Sequence, residues 1–138
     1  ISLKDLRFLI QESERLIKDK PAFKEQEFLL FLVKGIVEDY SGRHLNFLKI
    51  VKETKEQLLK DEALSDLLLF NLEAAHFLRS NGYYSEAKVR HLDNERFLKQ
   101  VPVQNQIFVI NKRAIENACA MGVLYQTEQN IDSSEWDL

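Results

Sequence analysis

The stretch Leu67-Leu68-Leu69-Phe70-Asn71-Leu72-Glu73-Ala74-Ala75-His76-Phe77-Leu78-Arg79-Ser80-Asn81-Gly82-Tyr83-Tyr84-Ser85-Glu86-Ala87 decides the fold. Its first half is apolar at every turn of a helix. Asn81-Gly82 then supplies the left-handed terminator that only glycine or asparagine adopts cheaply. An aromatic pair and a small residue open a second helix within three residues, so the stretch is predicted to form a helical hairpin.

Working outward, the same grammar recurs on both sides. Ser2 and Asp5 stand at capping-box spacing and predict a helix over residues 2–19, with Leu6, Leu9, Ile10, Leu16 and Ile17 inward. Pro21 suits a first helical turn and starts a second helix whose apolar residues, Phe23 through Tyr40, cover nearly its whole circumference. Ser41-Gly42 ends it. Residues 43–60 alternate Leu45, Leu48, Val51 and Leu58 with Lys and Glu, an amphipathic pattern. After the central stretch, residues 83–100 carry Tyr84, Ala87, Leu92 and Phe97, Pro102 breaks the helix, and 103–126 form another strongly apolar helix around Gly122. The prediction is an all-α chain of about six helices arranged as antiparallel hairpins.

Composition limits what such a chain does. With 138 residues and 45% hydrophobic content there is one domain, residues 1–126, followed by an acidic tail at 127–138 expected to be flexible and ending near Trp136. A net charge of −3, with Lys and Arg spread along the helices, lacks the basic footprint of a nucleic-acid binder. No uninterrupted apolar run is long enough to span a bilayer, so no membrane role is expected. The single cysteine, Cys119, lies in an apolar run and is expected in the core. One thiol and no disulfide suit a cytoplasmic protein. The chain opens on Ile1 rather than Met, as expected of a segment of something longer.

Gly42, Gly82 and Gly122 recur every forty residues, and the same offset aligns Leu29, Leu69 and Val109, and pairs Asn71 with Asn111. Periods of this length signal stacked supersecondary units. Ala75, Gly82, Tyr84 and Ala87 stand where tetratricopeptide repeats carry their small residue, turn glycine, turn aromatic and close-packing alanine. The unit therefore resembles that family, and the resemblance implies a superhelix of hairpins with a binding groove. Gly35 and Gly42 match in the unit before it, while Phe47 replaces the alanine and His44 the aromatic. Divergent hairpins of this kind are similar to the ligand-sensing half of peptide-responsive regulators of the Rgg and PlcR type, which carry a DNA-binding module ahead of the repeats.

Catalytic signatures are missing. Glu73 and His76 form a Glu-x-x-His pair, half of a helical di-iron site, but neither His44 nor His91 has a carboxylate three residues earlier, so no metal and no cofactor is expected. Phosphate loops and Ser/His/Asp patterns are likewise absent from the sequence. The candidate residues are instead polar side chains on the first helix of each unit: Asp39 and Tyr40; Asn71, His76 and Arg79; and Asn111, Lys112 and Glu116. Asparagine offers a donor and an acceptor to an extended backbone, which suits it to gripping a peptide. The expectation is a non-enzymatic domain that binds a peptide or protein segment, as the sensing and dimerising half of a transcription regulator. The alternative is a structural oligomerisation or scaffold domain in which apolar helices near 28–40 or 103–124 self-associate into a homodimer.

Overall fold

Helix ends set the metre of this chain. The computed structural model describes residues 2–105 and 107–136, with side chains described for all of these except 25, 103 and 132–136. Six α-helices are found among the described residues: α1 (Leu3–Ile17), α2 (Lys24–Tyr40), α3 (His44–Lys60), α4 (Leu64–Ser80), α5 (Tyr84–Lys99) and α6 (Phe108–Trp136). Single 3₁₀ turns at Pro21–Phe23 and Val103–Asn105 precede α2 and α6. The fold is all-α, as the periodicity predicts.

Three successive connections share one geometry. Gly42, Glu62 and Gly82 adopt φ of 82°, 55° and 85°. In each, the following N–H reaches back over the helix end, Arg43 to Glu38, Ala63 to Leu58 and Tyr83 to Leu78, while the positive-φ residue bonds Asp39, Leu59 or Arg79. These are Schellman motifs, which satisfy the last carbonyls of a helix. The pair joined by the longer bond is apolar in two cases, Leu58 with Ala63 and Leu78 with Tyr83. In the first it is ionic, Glu38 with Arg43. Hydrogen bonds from Arg43 and then Asn46 hold the Glu38 carboxyl below its ordinary value.

The helical unit therefore recurs every twenty residues, and glycine marks only every second one. Glu62 occupies a left-handed position that costs an L-residue about 1 kcal/mol. Glu62→Gly is expected to stabilise the chain by about 0.5–1 kcal/mol, while Gly42→Ala costs about 1 kcal/mol; urea denaturation of both variants checks the pair. No side chain or backbone atom lies within 4 Å of a Cβ built at Gly42. Its effect is thus purely conformational.

Gly122 breaks the forty-residue correspondence. It lies inside α6 in helical conformation, exposed, and not at a turn. The helix expected from 103 begins at Phe108, because Pro102 accepts from Asn105 in a 3₁₀ turn first. α6 also continues past 126 to Trp136, so the boundary expected at 127 is not a helix end. The tail's acidic side chains from Asp132 onward, and Trp136 with them, lie outside the described side chains.

Two units divide the chain, Ile1–Phe70 and Asn71–Leu138, with the boundary inside α4. In the first unit, α2 packs between α1 and α3. Phe28, Leu32, Val37, Phe47, Val51, Leu67, Leu68 and Phe70 are its core, and Phe28 meets Phe70 edge to face at 6.1 Å. A Cβ on Gly35 would stand 3.0 Å from the Phe47 ring, so the missing side chain is what lets that ring lie across α2. His44 stacks on the same ring at 5.7 Å and bonds Asp39 at 2.6 Å. Lys34 pairs with Glu14 at 2.8 Å, and Arg7 donates to Ser41 at 3.1 Å, fixing α1 on α2.

Several inward assignments are corrected. Leu45 is 80% exposed and Phe47 takes its place in the core. Along α1 only Ile10 is buried, while Leu9 and Leu16 face solvent. Cys119, expected in the core, is exposed.

Candidate functional site

The second unit is built around buried polarity. Asn71 on α4, His91 and Asn94 on α5 and Asn117 on α6 are all at most 2% exposed. The three asparagines are spaced by 23 residues in each interval and bond one another in series.

The direction of that series follows from donors and acceptors alone. Asn117 Nδ2 donates to the His91 carbonyl at 3.2 Å, which fixes its amide orientation. Its Oδ1 then accepts from Asn94 Nδ2 at 3.1 Å and faces His91 Nδ1 at 2.9 Å. An amide oxygen only accepts, so His91 carries its proton on Nδ1. Asn94 Oδ1 is left to accept from Asn71 Nδ2 at 2.9 Å. The ladder ends at Asn71 Oδ1, which has no hydrogen-bond partner among the described residues.

Burial pushes the His91 pKa below its ordinary 6.5; the Asn117 bond opposes the shift, and His76 and Arg79 on α4 reinforce it. A neutral imidazole is thus part of the folded structure, and charging it works against the fold. Such networks, once satisfied, fix one arrangement of helices, because any slip strands polar groups away from water.

The sequence-predicted residues fall into separate groups. Asn71 is fully buried and engaged with Asn94, so its amide faces the ladder and not an open groove. Asp39 has a 6% exposed side chain bonded to His44, whereas the adjacent Tyr40 is 57% exposed. His76 is exposed and Arg79 half-buried on the one strip of α4, with Glu73, that solvent reaches in this unit. Asn111 and Lys112 are exposed on α6, and Glu116 pairs with Arg113 at 3.0 Å. Among the described residues, no three His, Cys, Asp or Glu side chains come together as metal ligands.

His91, Asn94 and Asn117 are not among the predicted residues. A signal for them is present: His91 and Asn94 continue the helical register of Ala87, the one buried apolar residue of α5. Leu92, expected inward, is 43% exposed. The polar residues, not the leucine, occupy the buried face.

One open depression of about 860 Å³ lies in the first unit, between Glu14, Arg15 and Lys18 of the first helix region and Lys24 and Phe31 of α2. Its charges alternate in sign on solvent-reached side chains, and no buried polar group converges there. It has the character of a helix junction.

No helix among the described residues is long and apolar enough to cross a membrane. Comparison with protein-family models, with curated proteins and with solved structures returns no match.

Proposed function

We propose that this chain is a non-enzymatic interaction domain that binds an extended peptide or protein segment on the exposed strip of α4. The observation that carries the reading is the contrast within that helix. Leu67, Leu68, Phe70, Leu72, Ala74, Ala75, Phe77 and Leu78 are all at most 9% exposed, yet Glu73 and His76 stay at the surface with Arg79 beside them. That strip carries Glu73, His76 and Arg79 and no apolar side chain for a core to bury. A guanidinium and an imidazole next to a carboxylate instead suit a segment bearing an acidic side chain and free backbone amides.

The tetratricopeptide-like small residues support the same reading: Ala75 and Ala87 are 0% exposed, and Gly82 makes the turn. In that setting the domain is the sensing half of a regulator. Asn71 belongs to the ladder and leaves the list of contact residues. Panning a displayed library of random ten-residue peptides against the wild-type chain is expected to enrich acidic sequences. His76→Ala combined with Arg79→Ala should weaken the enriched peptides at least tenfold by calorimetry. Equal affinity for the double variant would remove the α4 strip from the proposal.

A further inference from the structure

The face of α6 turned away from α5 has the register of an internal helix interface. In α2 the stripe Phe28, Leu32, Gly35 and Asp39 is turned to neighbouring helices: Phe28 meets Phe70 of α4, Gly35 receives the Phe47 ring of α3, and Asp39 bonds His44. Forty residues on, Leu68, Leu72 and Ala75 of α4 are again at most 4% exposed. Eighty residues on, the stripe is Phe108, Lys112, Ile115 and Cys119, and here it is open, with Phe108 80% and Ile115 66% exposed.

α6 has two opposite faces. Ile110, Asn117, Met121 and Leu124 are buried within the second unit. On the opposite arc Phe108, Ile115 and Gly122 stand seven residues apart with Asn111 and Ala118 beside them, the spacing that keeps one seam facing a partner helix, while Tyr125 is turned toward α5, with Lys88 over its ring at 5.1 Å. Lys112 is the single charge among the exposed residues of this arc between 108 and 126. The arc's apolar residues present roughly 500 Å², in the upper part of the range for the largest patch on an ordinary monomer. With Asn111, Lys112 and Gln126 the exposed arc reaches about 700 Å², so a pairing that covers nearly all of it approaches the roughly 800 Å² that one partner gives up in a standard interface.

We infer that this arc pairs with the same arc of a second copy, forming a two-fold antiparallel α6–α6 dimer. This goes beyond the peptide-binding reading and uses none of its residues. The arc is complementary to itself: a two-fold axis crossing the exposed arc between Ile115 and Cys119 sets Ile115 against Cys119 of the second copy and the Lys112 stem against Gly122. It also brings Phe108 to Gln126. In the first two of these pairs a large side chain meets a small one, which is how helices interdigitate. Such an interface closes on itself, and closed two-fold dimers are the commonest assembly of soluble chains.

Sedimentation or light scattering of the full chain between about 5 and 200 μM tests the inference. The expected mass is twice 16.2 kDa at the upper concentrations. Ile115→Lys should raise the dimer dissociation constant at least 100-fold with an unchanged helical signal, and Leu45→Lys, on an even more exposed leucine of α3, should leave it alone. Iodoacetamide modification of Cys119 should slow at least tenfold as the wild type is concentrated through the dimerisation range. A monomer at 200 μM, a dimer that Ile115→Lys leaves intact, or a Cys119 rate independent of concentration each overturns the inference. Because Ile115→Lys keeps His76 and Arg79, its binding of α4-directed peptides separates failure of one proposal from failure of the other.

Discussion

Asn117→Leu is expected to cost about 3 kcal/mol of unfolding free energy in urea, because two buried donors, His91 Nδ1–H and Asn94 Nδ2–H, lose their acceptor. Leucine matches the amide in shape, so the loss reports hydrogen bonding rather than a cavity. Asn117 Oδ1 is the acceptor for both His91 Nδ1–H and Asn94 Nδ2–H, and its amide donates to the His91 carbonyl. Asn71→Leu provides the contrast. It makes a single donation to Asn94, and its Oδ1 has no partner among the described residues, so the cost should be about 1 kcal/mol or less. Equal costs for the two variants would mean that the ladder has no direction.

The same ladder sets a pH dependence. His91 has a folded pKa below its unfolded value of 6.5, so the unfolded chain binds the extra proton. Its contribution is complete above the unfolded value and is lost as the pH falls toward the folded one, at no more than about 1.4 kcal/mol per pH unit. In the urea series repeated between pH 7.5 and 5, His91→Gln should show a shallower decline than wild type. Parallel curves would show that His91 is not held neutral.

Phe47→Ala should be the other large effect, about 3–5 kcal/mol, because a 0% exposed ring leaves a void that its neighbours do not fill. The ring is gripped from two sides, by His44 stacked on it and by the bare Cα of Gly35. That makes Gly35→Ala informative. In wild type the new methyl meets the ring at 3.0 Å and should cost about 1–3 kcal/mol, since a ring held on both faces has nowhere to move. In the Phe47→Ala background the clash is gone, and the same methyl should be neutral or favourable. The double-mutant cycle should therefore return a coupling of at least about 1 kcal/mol. Additive costs would show that Gly35 serves the helix in some other way than by admitting Phe47.

How much of this was legible varies by level. Ser2, Pro21, Gly42, Gly82 and Pro102 mark helix ends through chemistry that acts within four residues, and each stands at or beside an end in the structure. Glu62 escaped, because nothing in a glutamate announces a left-handed conformation; the Leu58–Ala63 contact and the demands of the neighbouring helices impose it. Gly122 misled for the converse reason. A glycine inside a helix costs about 1 kcal/mol relative to alanine but does not end the helix when the residues on both sides favour it.

The candidate site was legible in part. His76 and Arg79 are where a surface reading puts them, and Tyr40, Asn111 and Lys112 are exposed. Asn71 and Asp39 turned inward because each meets a polar partner that lies elsewhere in the chain, Asn94 and His44. Hydrophobic periodicity treats every asparagine as outward-facing. It has no means of seeing that three of them, 23 residues apart, satisfy one another.

By itself the sequence determined six helices, their order and most of their ends, since caps, prolines and positive-φ glycines act through local backbone chemistry. Only the tertiary structure decided which face of α5 and α6 is inside. A buried amide or imidazole is tolerable only when its partners arrive from other helices, and a leucine is left outside when those polar groups take the core position instead.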